Sequence, residues 1–195
     1  MHGLINKSIQ SFVTLTYGED RWQAVMQSAD LGFTDFEAML TYEPEQTDQV
    51  LDAVRRELGR DLKEILEDLG TFLVSNPKME RLRRLLRFAG ESYEEFLHSL
   101  DDLPDRVRLA IPGLNLPPIE LREHAKGHFT LTSGSELPGF GSVMMGVLRA
   151  MADDYGALVM LEHDGHADGS DLFTITLVET AFAEGRDFSL GARVG

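Results

Sequence analysis

The stretch HDGHADGSD brings His163, Asp164, His166, Asp168 and Asp171 together within nine residues. The spacing Asp164-x-His166-x-Asp168-Gly169 echoes a calcium loop, where alternate oxygen ligands surround a sharply turned glycine. Such a loop closes on a glutamate at its twelfth position, and Ile175 stands there. A polar hairpin turn is the simpler expectation, with adventitious metal binding as the alternative. His124 and His128 flank another turn, where two ligands on one metal are conceivable, but exposed hairpin histidines are the expected reading. Glu64, Glu67 and Asp68, and then Glu94 and Glu95, are neighbouring carboxylates of the kind used in acid–base catalysis. In so acidic a chain they read as a solvated face. Ser133, Ser135 and Ser142 have no histidine and acid set around them, and no G-x-x-x-x-G-K-[ST] loop is present to cradle a nucleotide. No catalytic constellation emerges, and an enzyme is not expected.

Composition narrows the classes further. There are no cysteines, which removes disulfides, thiolate metal sites, iron–sulfur clusters and cysteine nucleophiles. A formal net charge of −15 opposes nonspecific binding to nucleic acid or anionic lipid. Arg81, Arg83, Arg84 and Arg87 in MERLRRLLRF form one local basic cluster. It reads as a solvated helix face, with a docking surface for an acidic partner as the alternative. No apolar run approaches the roughly 20 residues of a membrane span, and MHGLINKSIQ lacks a signal-peptide plan. A cytoplasmic protein is expected.

Hydrophobic periodicity places these residues on elements. Leu4, Ile5, Ile9, Phe12 and Val13 share one helical face that ends at Tyr17-Gly18. Trp22, Val25 and Met26 predict a second helix. Residues 30–45 look irregular, with one helical turn over Asp35–Met39. Helices follow around Val50–Leu58, closed by Gly59, and Leu62–Leu73, broken by Asn76-Pro77. Another runs over Leu82–Leu86, and one more from Tyr93 to about Leu109. From Pro117-Pro118 the pattern changes. IELREH and HFTLTS alternate as a hairpin around Ala125-Lys126-Gly127, GSVMMGVLRAMADDYG is helical, and ALVMLEH and DLFTITLVE are strands joined by DGHADGS. The tail after Glu184 looks loosely tied. Helices followed by strands predict an α+β fold, with a helical subdomain over residues 1–112 and a sheet subdomain over 117–183.

Several stretches together resemble the heme-NO/oxygen-binding (H-NOX) family, related to the heme domain of soluble guanylate cyclase. They are MHGLINKSIQSFVTLTYGEDRW, similar to the family's M-x-G-x-I/V-N opening and Y-G-x-x-x-W; EILEDLGTFLV; LLRFAGESYEEFLHSLDDL; Pro117-Pro118; and GVLRAMADDYG. The resemblance spans about residues 1–180. It implies one H-NOX-like domain, with a helical N-terminal subdomain packed on an antiparallel sheet and its helix, and heme between them.

The resemblance also implies where heme would be held, and there the sequence departs from the family. The proximal histidine lies in a motif like F-L-x-x-L-D-x-L-H; the corresponding FLHSLDDLP puts Pro104 at the ligand position. Proline offers iron no side-chain donor and disfavours a continuous helix. A new helical start, with Asp101 or Asp102 capping and Pro104 in the first turn, would accommodate it. The propionate-binding Y-x-S-x-R falls on Ser133, Ser135 and Leu137, of which only Ser135 matches. Both heme anchors are therefore substituted, and no cofactor is expected, although heme is what the family binds. Leu4, Ile5, Leu100 and Pro117 would line the family's pocket. His98 is the alternative iron ligand, but it lies six residues before Pro104, about 240° around a continuous helix. The expected function is a bacterial-type signalling module with a lost or altered heme site. By family resemblance its partner would be a cyclic-di-GMP enzyme, histidine kinase, cyclase or chemoreceptor. The alternative is a working NO or oxygen sensor that uses His98.

Overall fold

The computed structural model describes residues 1–88 and 90–188. The chain divides into two compact units, residues 1–69 and the remainder from Gly70.

The first unit is built on α1 (Gly3–Tyr17), α2 (Glu19–Ala29) and α3 (Pro44–Leu58), followed by the start of α4 (Leu62–Ser75). The periodic residues Ile9, Phe12, Val13, Trp22, Val25, Val50 and Val54 are buried, as the pattern predicts. Gly18 and Gly59, both at positive φ, end α1 and α3. In residues 30–43 the helical turn expected over Asp35–Met39 is reduced to one hydrogen-bonded turn, in which Leu40 N donates to the Glu37 carbonyl at 3.2 Å. Aromatic packing supports the segment: Phe36 lies against Phe33, Tyr42 and Trp22 with ring centroids 4.8–6.3 Å apart. Residues of the M-x-G-x-I/V-N and W motifs organise this unit. A Cβ on Gly3 would sit 2.1 Å from the Glu37 carbonyl oxygen. Asn6 is fully buried and accepts a hydrogen bond from Thr47 Oγ1 at 2.9 Å, and Trp22 Nε1 donates to the Thr34 carbonyl at 3.0 Å.

The second unit begins within α4, whose Asn76-Pro77 end leads through a short 3₁₀ turn into α5 (Glu80–Arg87). Then come α6 (Tyr93–His98), α7 (Leu103–Ala110), β1 (Ile119–Ala125), β2 (His128–Gly134), α8 (Phe140–Tyr155), β3 (Leu158–Ala167) and β4 (Ser170–Glu179). The four strands form one antiparallel sheet in the order β1-β2-β4-β3. Phe129 and Leu131 of β2 are paired with Ile175 and Phe173 of β4, and all four are buried on one face. Buried Met144, Leu148 and Met151 lie on α8, which packs on β3. Gly70 of α4 approaches α8 so closely that a Cβ there would meet the Val143 carbonyl oxygen at 2.0 Å and Gly146 Cα at 3.0 Å. Two of the family-like stretches thus meet where neither helix carries a side chain.

Strands begin where the sequence changes character near Pro117, but the compact units divide earlier, at Leu69/Gly70. Side chains join α6 and α5 to α8 within the second unit: Tyr93 Oη donates to the Leu148 carbonyl at 3.1 Å, and Arg83 Nε to Asp154 at 2.8 Å.

Three local expectations need correction. The stretch 93–109 is two helices, because residues 99–102 leave the helical path before Pro104. The DGHADGS segment is mostly β3, and its turn is only Asp168-Gly169, both at positive φ, with a bulge at Asp164 beside Gly165. The tail beyond Glu184 is tied rather than loose as far as Phe188. Phe182 and Ala183 donate backbone hydrogen bonds to Gly156 O, and Arg186 donates one to Asp154 O. Arg83 donates to the Asp187 carbonyl, and Arg87 lies over the Phe188 ring. The residues after 188 lie outside the described set.

Candidate functional site

The F-L-x-x-L-D-x-L-H-like motif lies across the α6–α7 break. Ser92 caps α6 in a reciprocal box with Glu95. Phe96, Leu97, Leu100 and Leu103 are buried, Phe96, Leu97 and Leu100 completely. Asp101 does not cap α7. Its carboxylate accepts the Leu121 N–H of β1 at 2.6 Å, fastening the break to the sheet edge. Asp102 occupies the N-cap position of α7 without a side-chain cap bond. Pro104 lies in the first turn of that helix, where its missing N–H costs least. The carbonyls left at the end of α6 find other donors. Leu103 N reaches Leu100 O at 3.1 Å, and Arg106 donates to Ser99 O at 3.0 Å. Every apolar and acidic element of the motif is thus in structural use, while Pro104, aligned with the family's histidine, is a half-buried pyrrolidine ring.

The six histidines are all engaged elsewhere. His2 Nδ1 caps α1. His98 is half exposed, with Nε2 3.4 Å from a Glu123 carboxylate oxygen and its ring edge-on to Phe129. His124 meets Thr130 Oγ1 at 2.7 Å and His128 the Lys126 carbonyl at 3.1 Å, so these two do not converge on one metal. His163 and His166 lie 3.2 and 3.7 Å from the same Asp171 oxygen, while Asp164 accepts from Thr174.

The positions aligned with the propionate motif are also committed. Ser133 is fully buried, and its hydroxyl bonds to the Gly134 carbonyl. Ser135 Oγ donates to the Gly169 carbonyl at 2.8 Å, tying the end of β2 to the β3–β4 turn. Leu137 is half-buried. The neighbouring charge is an acid, Glu136, whose carboxylate lies against Gly134, so a propionate here would meet a like charge and no arginine of the segment. Of the residues expected to line a pocket, Leu4 and Ile5 are half-buried on α1, and Leu100 and Pro117 are buried. A groove of about 340 Å³ lies elsewhere, between α8 and β3, bordered by Arg149, Ala157 and Leu161. The donor set around the α6–α7 break does not fit a histidine-ligated, arginine-clamped heme.

The remaining sequence candidates are structural. Glu64 and Asp68 both pair with Arg60 on the surface. Arg83 and Arg87 are not a solvated basic face. Arg83 is 5% and Arg87 10% exposed at the side chain, and both pair with Asp154, itself 1% exposed. What the sequence did not show is the approach of Glu123 to Glu94 and His98. Glu94 and His98 are four apart on one helix, which was legible; Glu123 arrives from β1, and nothing local announces it.

No helix among the described residues is long and apolar enough to cross a membrane. The Haem-NO-binding family model matches residues 2–163. The chain is 28% identical over 194 residues to soluble guanylate cyclase gcy-35 of Caenorhabditis elegans, covering 93% of this chain and 28% of that protein. It is 23% identical over 170 residues to gcy-31 of the same organism, covering 84% and 24%. The chain therefore spans about a quarter of the length of these curated relatives. The fold matches the Fe(II) unliganded H-NOX protein from K. algicida with a TM-score of 0.80 at 15% identity, covering 94% of this chain and all of that one. With the family model matched over most of its length and an H-NOX fold throughout, this chain belongs to the haem-NO-binding (H-NOX) family.

Proposed function

We propose that this H-NOX protein is a signalling module whose heme site has been lost or altered, and that it regulates a partner signalling protein by contact rather than by catalysis. The observation that carries this is the α6–α7 break. Phe96, Leu97, Leu100, Asp101 and Leu103 keep the family-like scaffold, while Pro104 opens a new helix at the position where the family presents its iron ligand. A scaffold retained without its ligand fits a domain used for its shape and its partners. Named relatives are guanylate cyclases several times longer than this chain, so a cyclase or another signalling enzyme is the partner class that fits. A cytoplasmic site of action fits such a partner. His98 is a poor substitute ligand, because it is half exposed and faces Glu123.

Hemin reconstitution of the wild type, Pro104→His and His98→Ala proteins tests this. If the pocket survives without its ligand, Pro104→His gains stoichiometric heme and His98→Ala changes nothing. A wild-type heme complex abolished by His98→Ala would refute the proposal in favour of an atypical working sensor. Circular dichroism of each variant excludes misfolding.

A further inference from the structure

We infer that Glu94, His98 and Glu123 form a surface binding site for a divalent transition cation of the zinc class. One donor atom from each of the three lies within 4.8 Å of the other two. Glu94 and His98 are one helical turn apart on α6, so they project from the same face. Glu123 comes from β1, whose backbone is fastened to the α6–α7 break by the Asp101–Leu121 hydrogen bond, two residues from Glu123 along the strand. The site is therefore framed by two elements held in fixed register.

The geometry suits a small ion. Zinc–oxygen and zinc–nitrogen bonds of about 2.1 Å in a tetrahedron require donors about 3.4 Å apart. His98 Nε2 and the Glu123 carboxylate are already 3.4 Å apart. Glu94 and the far edge of the triangle must close from at most 4.8 Å, a movement within the reach of partly exposed glutamate rotamers. The His98 ring is held edge-on to buried Phe129, with centroids 5.6 Å apart and planes at 80°, which limits its rotation. Two carboxylates neutralise a dication, and the neutral imidazole selects zinc-class ions over magnesium or calcium, which prefer all-oxygen shells. The fourth position remains open to water. The chain's net charge of −15 favours cation approach. A bound ion would join α6 to β1 across the helix break.

The test is calorimetric titration of zinc sulfate into the full chain after treatment with chelator. The wild type should take up one equivalent saturably, with magnesium a poor competitor. His98→Ala, Glu94→Gln and Glu123→Gln should each weaken zinc by about tenfold or more. His166→Ala, in the unrelated Asp171 cluster, should leave affinity within about twofold. Zinc should raise the melting temperature of the wild type and not of His98→Ala. No saturable uptake by the wild type, binding unchanged in His98→Ala, or binding lost in His166→Ala would each overturn the assignment.

Discussion

Asp154 is the most consequential buried charge among the described residues, and removing it should cost more than removing any one of its partners. Its carboxylate is 1% exposed and faces Arg83 at 2.8 Å and Arg87 and Arg186 at 3.5 Å. Breaking a buried ion pair costs about 3–5 kcal/mol, because the surviving charge stays desolvated without its partner. Arg83→Ala leaves the carboxylate with two guanidinium groups, so the lower end applies, about 3 kcal/mol. Asp154→Ala strips the counter-ion from two nearly buried arginines. Among the described residues Arg83 keeps one carboxylate, Glu80 at 3.2 Å, beside its neutral acceptor, the Asp187 carbonyl, so the upper end applies, about 5 kcal/mol. The double variant should cost less than the sum, by about 1–3 kcal/mol, since the two residues share one interaction. Urea denaturation followed by far-ultraviolet circular dichroism measures all three. A cost below about 1 kcal/mol for Asp154→Ala, the range of an exposed pair, would refute the buried-node argument.

Gly70→Ala should destabilise by about 2–3 kcal/mol, measured in the same way, because its methyl group would collide with the α8 backbone and neither helix can yield cheaply. Asp101→Ala leaves the Leu121 N–H without its acceptor and should cost about 1–2 kcal/mol; Asp102→Ala, whose side chain makes no cap bond, should be near neutral by thermal unfolding. Burial pushes the Tyr155 phenol up to about 12, against the opposing pull of Arg87, and pushes fully buried Tyr93 well above the usual range. Folded-state pKa values above the unfolded value of about 10 mean that the folded protein holds these protons more tightly. Their contribution is complete below about pH 10 and is lost as pH rises through the folded values. Melting temperatures should therefore fall above pH 10, and the paired variant Tyr93→Phe with Tyr155→Phe should flatten that slope.

Periodicity located the long helices because their apolar stripes are unambiguous: Ile9, Phe12 and Val13, or Val50 and Val54, are buried where a 3.6-residue repeat places them. Glycine and proline marked the right ends, at Gly18, Gly59 and Asn76-Pro77. Legibility failed where long-range contacts override local pattern. Leu100 and Leu103 continue the helical spacing of Phe96, yet the chain turns between them because Asp101 is held by β1 and Pro104 starts afresh. His166 read as a turn residue, but pairing with β4 extends the strand past it to Ala167. The arginines of α5 looked solvated because their acceptor, Asp154, lies 71 residues from Arg83 in sequence. At the candidate site, the proline at the position aligned with the family's histidine was visible in the sequence. The task taken up by Asp101 and the approach of Glu123 to His98 were not, since both depend on β1.

The ultraviolet–visible spectrum of the purified full chain, before and after adding heme, reduced and then exposed to NO, tests the altered heme site most directly. With Pro104 at the ligand position and Glu136 near the aligned propionate positions, no stoichiometric Soret band that shifts with NO should form. A one-to-one heme complex whose Soret band moves on NO addition would contradict the loss and make this chain a working gas sensor with an unforeseen ligand.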